Sequence, residues 1–198
     1  MADIEALKPS NTGWLIADVV QDTFAFGWAR TEVEPALLAL LADPQWQPVV
    51  VFPGEFVEDE RVIHALPASD TPDNNKRPLF ILLDGTWPEA SKMLRKSPYL
   101  DRFPVLSLQS DQLSRYKLRR SKRDDHFCTA EVAALCLALA GEARDAHAAQ
   151  TLEAYLDVFT HHYLQAKHQL PVDAGHESFA RLRELGDQAL SRNAEHGV

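Results

Sequence analysis

Three short apolar runs constrain the fold of this chain more than any other feature of the sequence. They cover residues 49–52, 79–83 and 105–108, and each directly follows a proline. The runs are nearly continuous rather than alternating, which is typical of strands buried on both faces of a parallel sheet. A further strand, with one buried face, is predicted where aromatic and small residues alternate over 24–28. Because helical patterns lie between and after these runs, the sequence predicts an α/β fold with a mostly parallel sheet flanked by helices.

Four helices, in addition to one that follows residues 84–87, are predicted from the spacing of apolar residues and from terminal signals. Residues 34–42 begin with a proline in the first turn, and residues 129–140 end at Gly141, which suits a helix terminus. Aromatic residues and leucines at helical spacing predict an amphipathic helix over 151–168 that docks on the core. A last helix is predicted over about residues 178–192.

Size and composition are those of an ordinary globular protein. The 198 residues fit one domain, and 45% of them are hydrophobic and 25% charged, so a core can form without disulfides or metals. The longest apolar run, 132–140, is too short to span a bilayer, and the N-terminus shows no signal peptide. Cys128 and Cys136 lack metal or redox spacing and are predicted to be small core residues of a cytosolic protein. We therefore expect a single cytoplasmic domain over residues 1–198.

Charge is strongly segregated along the chain. The net charge is −9, but residues 91–123 hold ten basic and two acidic side chains, which gives this stretch +8 and the remainder −17. Such segregation is typical of a protein that binds a polyanion on one face, although a basic run can also be only a solvated surface. The residues predicted to contact RNA are Lys92, Arg95, Lys96, Arg115, Tyr116, Lys117, Arg119 and Arg120, of which the tyrosine could stack on a base.

The segment Asp84, Gly85, Thr86 and Trp87 follows a predicted buried strand and opens a predicted helix. Open α/β sheets bind ligands at this position, beyond the carboxyl ends of their strands. Thr86 and Glu89 have the spacing of a capping box, so helix formation alone accounts for both. It does not account for Asp84 and Trp87. A carboxylate at a strand end beside a large aromatic can hold a cation and a ring, which makes this loop the candidate active site.

Other common kinds of site find no support in the sequence. There is no Walker or dinucleotide-binding fingerprint, and no arrangement of Ser, Cys and His resembles a catalytic triad. His161, His162 and His168 do not share one helix face with a carboxylate at ligand spacing, so no metal site is expected.

Five short blocks carry a resemblance to a known family. The central one, 83–87, holds Asp-Gly-Thr-Trp, and an Asn-Thr-Gly element at 11–13 precedes it. Further blocks are the Phe-Pro at the end of 51–53, the basic Leu-Arg stretch at 116–119, and the helix start at 128–132. Their kind and order resemble the DTW-domain family, named after its Asp-x-Thr-Trp motif. The motif alone is a weak signal, but the ordered set is fairly specific.

Members of that family are tRNA-uridine aminocarboxypropyltransferases, with a fold similar to the trefoil-knotted SPOUT methyltransferases. The resemblance covers about residues 11–140 and implies a SPOUT-like fold, tRNA as partner and S-adenosyl-L-methionine as donor substrate. The residues that it places around the donor are Pro53, Gly54, Asp84, Gly85, Thr86, Trp87, Leu106, Ser107, Leu108 and Thr129.

The reaction implied by the resemblance is transfer of the 3-amino-3-carboxypropyl group to N3 of a tRNA uridine, with release of methylthioadenosine. Asp84, Thr86 and Trp87 are the candidate catalytic residues. Asp84 is either the general base or a charge partner of the donor. Trp87 either stacks on adenine or uracil or is a core aromatic. Thr86 and Thr129 either contact the donor or only cap helices. A SPOUT-like RNA methyltransferase and a noncatalytic RNA-binding domain stay open as alternatives, as does the choice between monomer and homodimer.

Overall fold

The computed structural model describes residues 7–66, 76–109, 127–171, 173 and 175–196, the last five of these without their side chains. The chain divides into two compact units. The first comprises residues 1–11 and 24–111, and the second comprises residues 12–23 and 112–198. The expectation of a single domain over residues 1–198 stays a prediction.

The secondary structure of the described residues consists mainly of six α-helices and four strands. The helices are α1 (Gly13–Val19), α2 (Pro35–Ala42), α3 (Trp87–Arg95), α4 (Thr129–Ala140), α5 (Ala143–His168) and α6 (Glu177–His196). The strands are β1 (Trp46–Val51), β2 (Val62–Ile63), β3 (Arg77–Leu82) and β4 (Val105–Leu106). The helices predicted over 34–42 and 129–140 are confirmed as α2 and α4.

The first unit is built on a parallel sheet with the strand order β2-β4-β1-β3. Strand β1 lies between two neighbours, and Val50 is paired with Ile81 on one side and with Val105 on the other. The parallel pairing confirms the predicted α/β class, and the three apolar runs correspond to β1, β3 and β4. Strand β2 was not predicted, because two apolar residues between polar ones give no periodic signal. The SPOUT-like knot stays a prediction.

Helices α2 and α3 cover one face of this sheet. Val50 and Phe52 are two positions apart and therefore point to the same side, where they join Leu41 of α2 and Leu94 of α3 in one buried cluster. Val49, on the opposite face, is also fully buried. Strand β1 is thus buried on both faces, as predicted. Strand β3 is half-buried because it lies at the edge of the sheet.

Helix α5 organises the second unit, where it contacts α1, α4 and α6. Leu15, Cys136, Leu152 and Leu185, one from each helix, are buried. Helix α5 begins eight residues before its predicted start, because residues 143–150 favour a helix but lack the apolar stripe that defined the prediction. Within the described residues, no helix is both long enough and apolar enough to cross a membrane.

The prediction of a strand over residues 24–28 is wrong. The segment pairs with none of the four strands, and Phe24 is mostly exposed. The Trp28 side chain packs beside α3: its indole N–H donates to Ser97 Oγ at 3.0 Å, and the Lys92 ammonium lies 5.7 Å from its ring centre. Trp28 therefore packs on a helix and has no place in the sheet.

Two glycines in the helical unit form a matched pair for stability measurements. Gly141 ends α4 with a φ of +81°, where alanine is strained, so Gly141→Ala should lower the free energy of unfolding by about 1 kcal/mol. Gly186 lies inside α6 with open space around the position of a Cβ atom, so Gly186→Ala should raise it by about 0.5–1 kcal/mol. Urea unfolding measures both values, and shifts of the same sign would contradict this account.

Candidate active site

The carboxyl ends of the four parallel strands lie at one edge of the sheet, called here the carboxyl edge. The loops that leave it begin at Phe52 after β1, His64 after β2, Leu83 after β3 and Ser107 after β4. The candidate loop 84–87 and the predicted donor contacts Pro53 and Gly54 therefore lie at this edge.

Asp84 is a buried carboxyl at the end of β3, with 7% of its surface exposed. The side-chain amide of Asn11, which is also buried, donates a hydrogen bond of 2.8 Å to Asp84 Oδ2. A buried polar group is stabilised only when hydrogen-bonded, and this bond also fixes the direction of the carboxyl group. Asn11 was not among the predicted site residues. Its one signal in the sequence was its place in the Asn-Thr-Gly block.

The turn between Asp84 and α3 is held by a capping box. The Glu89 carboxylate accepts hydrogen bonds from the backbone N–H of Thr86, at 2.7 Å, and from its hydroxyl. Thr86 is thus the N-cap of α3, and the capping interpretation of this residue is confirmed. A Cβ atom at Gly85 would lie 3.1 Å from both Glu89 Cβ and Met93 Cε, so a glycine lets the turn lie close to the helix.

Three aromatic rings, called here the aromatic corner, lie beside this turn: Phe52, Phe56 and Trp87. The indole of Trp87 stacks on Phe52 with ring centres 5.2 Å apart, and Phe56 meets Trp87 edge to face at 4.9 Å. Phe52 is buried, whereas Phe56 is 48% and Trp87 37% exposed. The alternative that Trp87 is only a core aromatic therefore explains its stacking on Phe52 but not its exposed surface. Phe52 was predicted only as part of a buried strand and of the Phe-Pro block. Phe56 was not predicted at all, because it stands in no periodic pattern.

The loops after β1 and β4 are joined by a hydrogen bond from the Gly54 backbone N–H to Ser107 Oγ, of 3.1 Å. A Cβ atom at Gly54 would lie 2.9 Å from Val62 Cγ1 and 3.3 Å from Ser107. Only glycine therefore allows this close approach. His64 Nδ1 is 3.3 Å from the carbonyl oxygen of Ser107, so the ends of β2, β4 and β1 are linked.

The other predicted donor contacts on these two loops differ in their exposure. Pro53 is exposed, and Leu108 is half-buried. The Leu106 side chain is fully buried, and its carbonyl accepts a hydrogen bond of 3.2 Å from the Phe52 backbone N–H. The Leu106 side chain therefore packs in the core and is not accessible to a ligand.

Helix α3, which begins at Trp87, and the residue directly after it hold three of the predicted RNA contacts. Lys92, Arg95 and Lys96 are all solvent-exposed. The Arg95 guanidinium donates to the carbonyl of Ser91 one turn earlier. The remaining predicted RNA contacts lie outside the described residues: Arg115, Tyr116, Lys117, Arg119 and Arg120.

Thr129 belongs to the second unit, at the start of α4. The capping interpretation of Thr129 is wrong, because Cys128 is the N-cap and its backbone N–H donates to the Glu131 carboxylate at 2.8 Å. The buried Thr12 hydroxyl accepts from the Ala130 backbone N–H at 3.3 Å.

The two cysteines of α4 are free thiols. Burial, assisted by the nearby Glu131 carboxylate, raises the pKa of Cys128 to about 12, and burial alone raises the pKa of Cys136 to about 12. Both thiols are therefore protonated at neutral pH, and neither is an activated nucleophile. The core prediction is confirmed for Cys136, whereas Cys128 is only partly buried.

Two histidines of α5, His161 and His162, pack against aromatic neighbours. His161 stacks on His176 with ring centres 3.8 Å apart, and His162 meets Phe179 edge to face at 5.1 Å. Across the described part of the chain, no three side chains of His, Cys, Asp or Glu are grouped so that they could hold a metal ion.

Comparison with known proteins adds a family to this geometry. A family model described as the DTW domain matches residues 1–164. No solved structure matches the chain. The family match covers most of the chain, including the Asp84 loop and the start of α4. The chain therefore belongs to the DTW-domain family, which is the family of the tRNA-uridine aminocarboxypropyltransferases.

Proposed function

We propose that this protein transfers the 3-amino-3-carboxypropyl group of S-adenosyl-L-methionine to N3 of a uridine in tRNA and releases methylthioadenosine. One observation carries most of the weight. In a chain whose family modifies tRNA, Asn11 orients the buried Asp84 carboxyl at the carboxyl edge of a parallel sheet. That edge is where open α/β sheets bind their ligands.

The residues at the carboxyl edge fit the chemistry of the donor. S-adenosyl-L-methionine has two cationic centres, a sulfonium and an ammonium, and an adenine ring. Asp84 supplies a carboxyl group for a cation, and the exposed part of Trp87 supplies an aromatic surface for a cation or a ring. The donor contacts that we assign on the first unit are Pro53, Gly54, Asp84, Gly85, Thr86, Trp87, Ser107 and Leu108. Leu106 is not among them, because its side chain is fully buried in the core. The contact of Thr129, in the second unit, stays a prediction.

Asp84 has a defined task in this reaction. The donor supplies an electrophilic carbon next to its sulfonium. Uridine N3 is a weak acid, so it must lose its proton as the N3–C bond forms and the S–C bond breaks. The Asp84 carboxyl takes that proton and passes it to solvent, and the Asn11 amide keeps the carboxyl pointed correctly. The rival role of Asp84 is to hold one cation of the donor.

Identification of the small-molecule product tests the reaction. The protein is incubated with S-adenosyl-L-methionine and an unmodified tRNA transcript, and a reaction without tRNA serves as control. Methylthioadenosine that forms only with tRNA is the expected result. S-adenosylhomocysteine would instead support the methyltransferase alternative, and the absence of both products would support a noncatalytic RNA-binding domain.

Asp84→Asn separates the two roles of the carboxyl group. As general base, Asp84 should be worth about 10²–10⁴-fold in kcat, while the Kd of S-adenosyl-L-methionine changes little. A large loss of donor affinity would assign Asp84 to the donor's cation instead.

Asn11→Ala removes the donor of the hydrogen bond to Asp84 and leaves the carboxyl group in place. This variant should lower kcat by about tenfold without raising the KM of the donor, since only the orientation of the base is disturbed.

The exposed cations of α3 are expected to bind tRNA phosphates. The double variant Lys92→Gln/Arg95→Gln should weaken tRNA binding and reduce the slope of log Kd against log salt by about one for each phosphate that is no longer bound. Lys167→Gln/Arg183→Gln removes the same charge from exposed positions of the second unit and is the matched control. An unchanged slope in the first variant would remove α3 from the RNA-binding surface.

Arg119→Gln/Arg120→Gln tests the predicted RNA contacts outside the described residues, with the same measurement of tRNA affinity and of its salt dependence.

A further inference from the structure

Phe56 is a large aromatic residue held in a fixed position with half of its surface exposed. It ends a short 3-10 turn, Gly54–Phe56, in which its backbone N–H donates to the Pro53 carbonyl at 3.3 Å. The start of this turn is fixed by the close approach of Gly54 to Val62 and Ser107. The ring meets both other members of the aromatic corner edge to face, with centres 6.1 Å from Phe52 and 4.9 Å from Trp87.

Folding alone does not account for this placement. Full burial of a phenylalanine is favourable, yet 48% of Phe56 and 37% of its neighbour Trp87 stay in contact with water. A single exposed aromatic residue is ordinary in a folded protein, whereas adjoining exposed rings held by packing mark a binding surface. Trp87 begins α3 three residues after Asp84, so this surface and the proposed catalytic carboxyl belong to loops at the same carboxyl edge.

We propose that the exposed face of Phe56, whose ring packs edge to face against Trp87, is a platform on which an unpaired base of the RNA substrate stacks. The inference rests on the proposed function, because it takes RNA as the substrate. Single-stranded RNA is recognised by stacking of its bases on Phe, Tyr or Trp, with cationic groups on its phosphates. Helix α3 begins at Trp87, beside the Phe56 ring. It carries exposed Lys92 and Arg95, and exposed Lys96 follows its last residue, all within about 14 Å along the helix axis from Trp87.

The exposure of Phe56 favours a base of the RNA over the adenine of the donor. Small-molecule sites enclose most of the surface of their ligand in a concave pocket. A ring that is half exposed at the rim of the carboxyl edge suits a large substrate that brings its base in from solvent. Stacking on the donor's adenine is therefore the competing outcome of the test.

Three substitutions at Phe56 and one matched control test the platform. Phe56→Ala removes the ring, Phe56→Leu keeps apolar surface without a π face, and Phe56→Tyr keeps the π face. The control is Phe24→Ala, at a phenylalanine of the same unit that is 51% exposed but follows none of the strands of the carboxyl edge. The Kd of a uridine decamer is measured by fluorescence anisotropy, and the Kd of S-adenosyl-L-methionine by calorimetry.

The decamer should bind about tenfold more weakly to the Ala and Leu variants, as expected when one base–aromatic stack is removed, and about as tightly to the Tyr variant. The Phe24 control and the affinity for S-adenosyl-L-methionine should stay unchanged. The inference is overturned if Phe56→Leu binds the decamer like the unaltered protein, if Phe56→Ala weakens only the donor, or if the unaltered protein does not bind the decamer.

Decamer binding and product identification together distinguish a failure of the platform from a failure of the proposed transfer reaction. If the decamer depends on Phe56 but the tRNA reaction yields S-adenosylhomocysteine, the platform stands and aminocarboxypropyl transfer is wrong. If methylthioadenosine forms normally in the Phe56→Ala variant and decamer binding is unaltered, the transfer stands and the platform is wrong.

Discussion

Parallel pairing of β1 with β3 on one side and with β4 on the other is the interaction on which the candidate site depends. Strands that run the same way end at the same edge, so loops that are distant in sequence leave the sheet side by side. Ser107 and Gly54 are 53 positions apart, yet their loops are joined by one hydrogen bond. Antiparallel pairing of the same strands would send these loops to opposite edges.

Burial of Asp84 is the second constraint on this edge. A carboxyl group removed from water needs hydrogen-bonding partners, and Asn11 is one of them. The bond that makes burial tolerable also fixes the direction of the carboxyl oxygens, which a proton acceptor requires. Stability and the proposed chemistry thus draw on the same contact. The aromatic corner also serves both stability and the proposed binding. Phe52 belongs to the core, while Phe56 and Trp87 are partly exposed to solvent.

The sequence predicted elements best where the responsible interactions are local. The capping box between Thr86 and Glu89 spans three positions and was found from spacing alone. Helix α2, which has proline in its first turn, has the predicted end residues to within one position. Residues 24–28 failed because alternation is shared by strands and by aromatics that pack on a helix, as Trp28 does beside Lys92. The Asp84 loop was located correctly in the fold, but its partner Asn11 was not.

By itself, the sequence determined the α/β class, the three principal strands, and the position of Asp84, Thr86 and Trp87 at a strand end, because apolar runs and helix caps act between near neighbours. Only the tertiary structure decided the strand order β2-β4-β1-β3, the contact of Asn11 with Asp84 across 73 positions, and the exposure of Phe56 beside Trp87. The physical reason is that long-range pairing and side-chain burial depend on which segments meet when the chain collapses. No periodicity within a single segment records that choice.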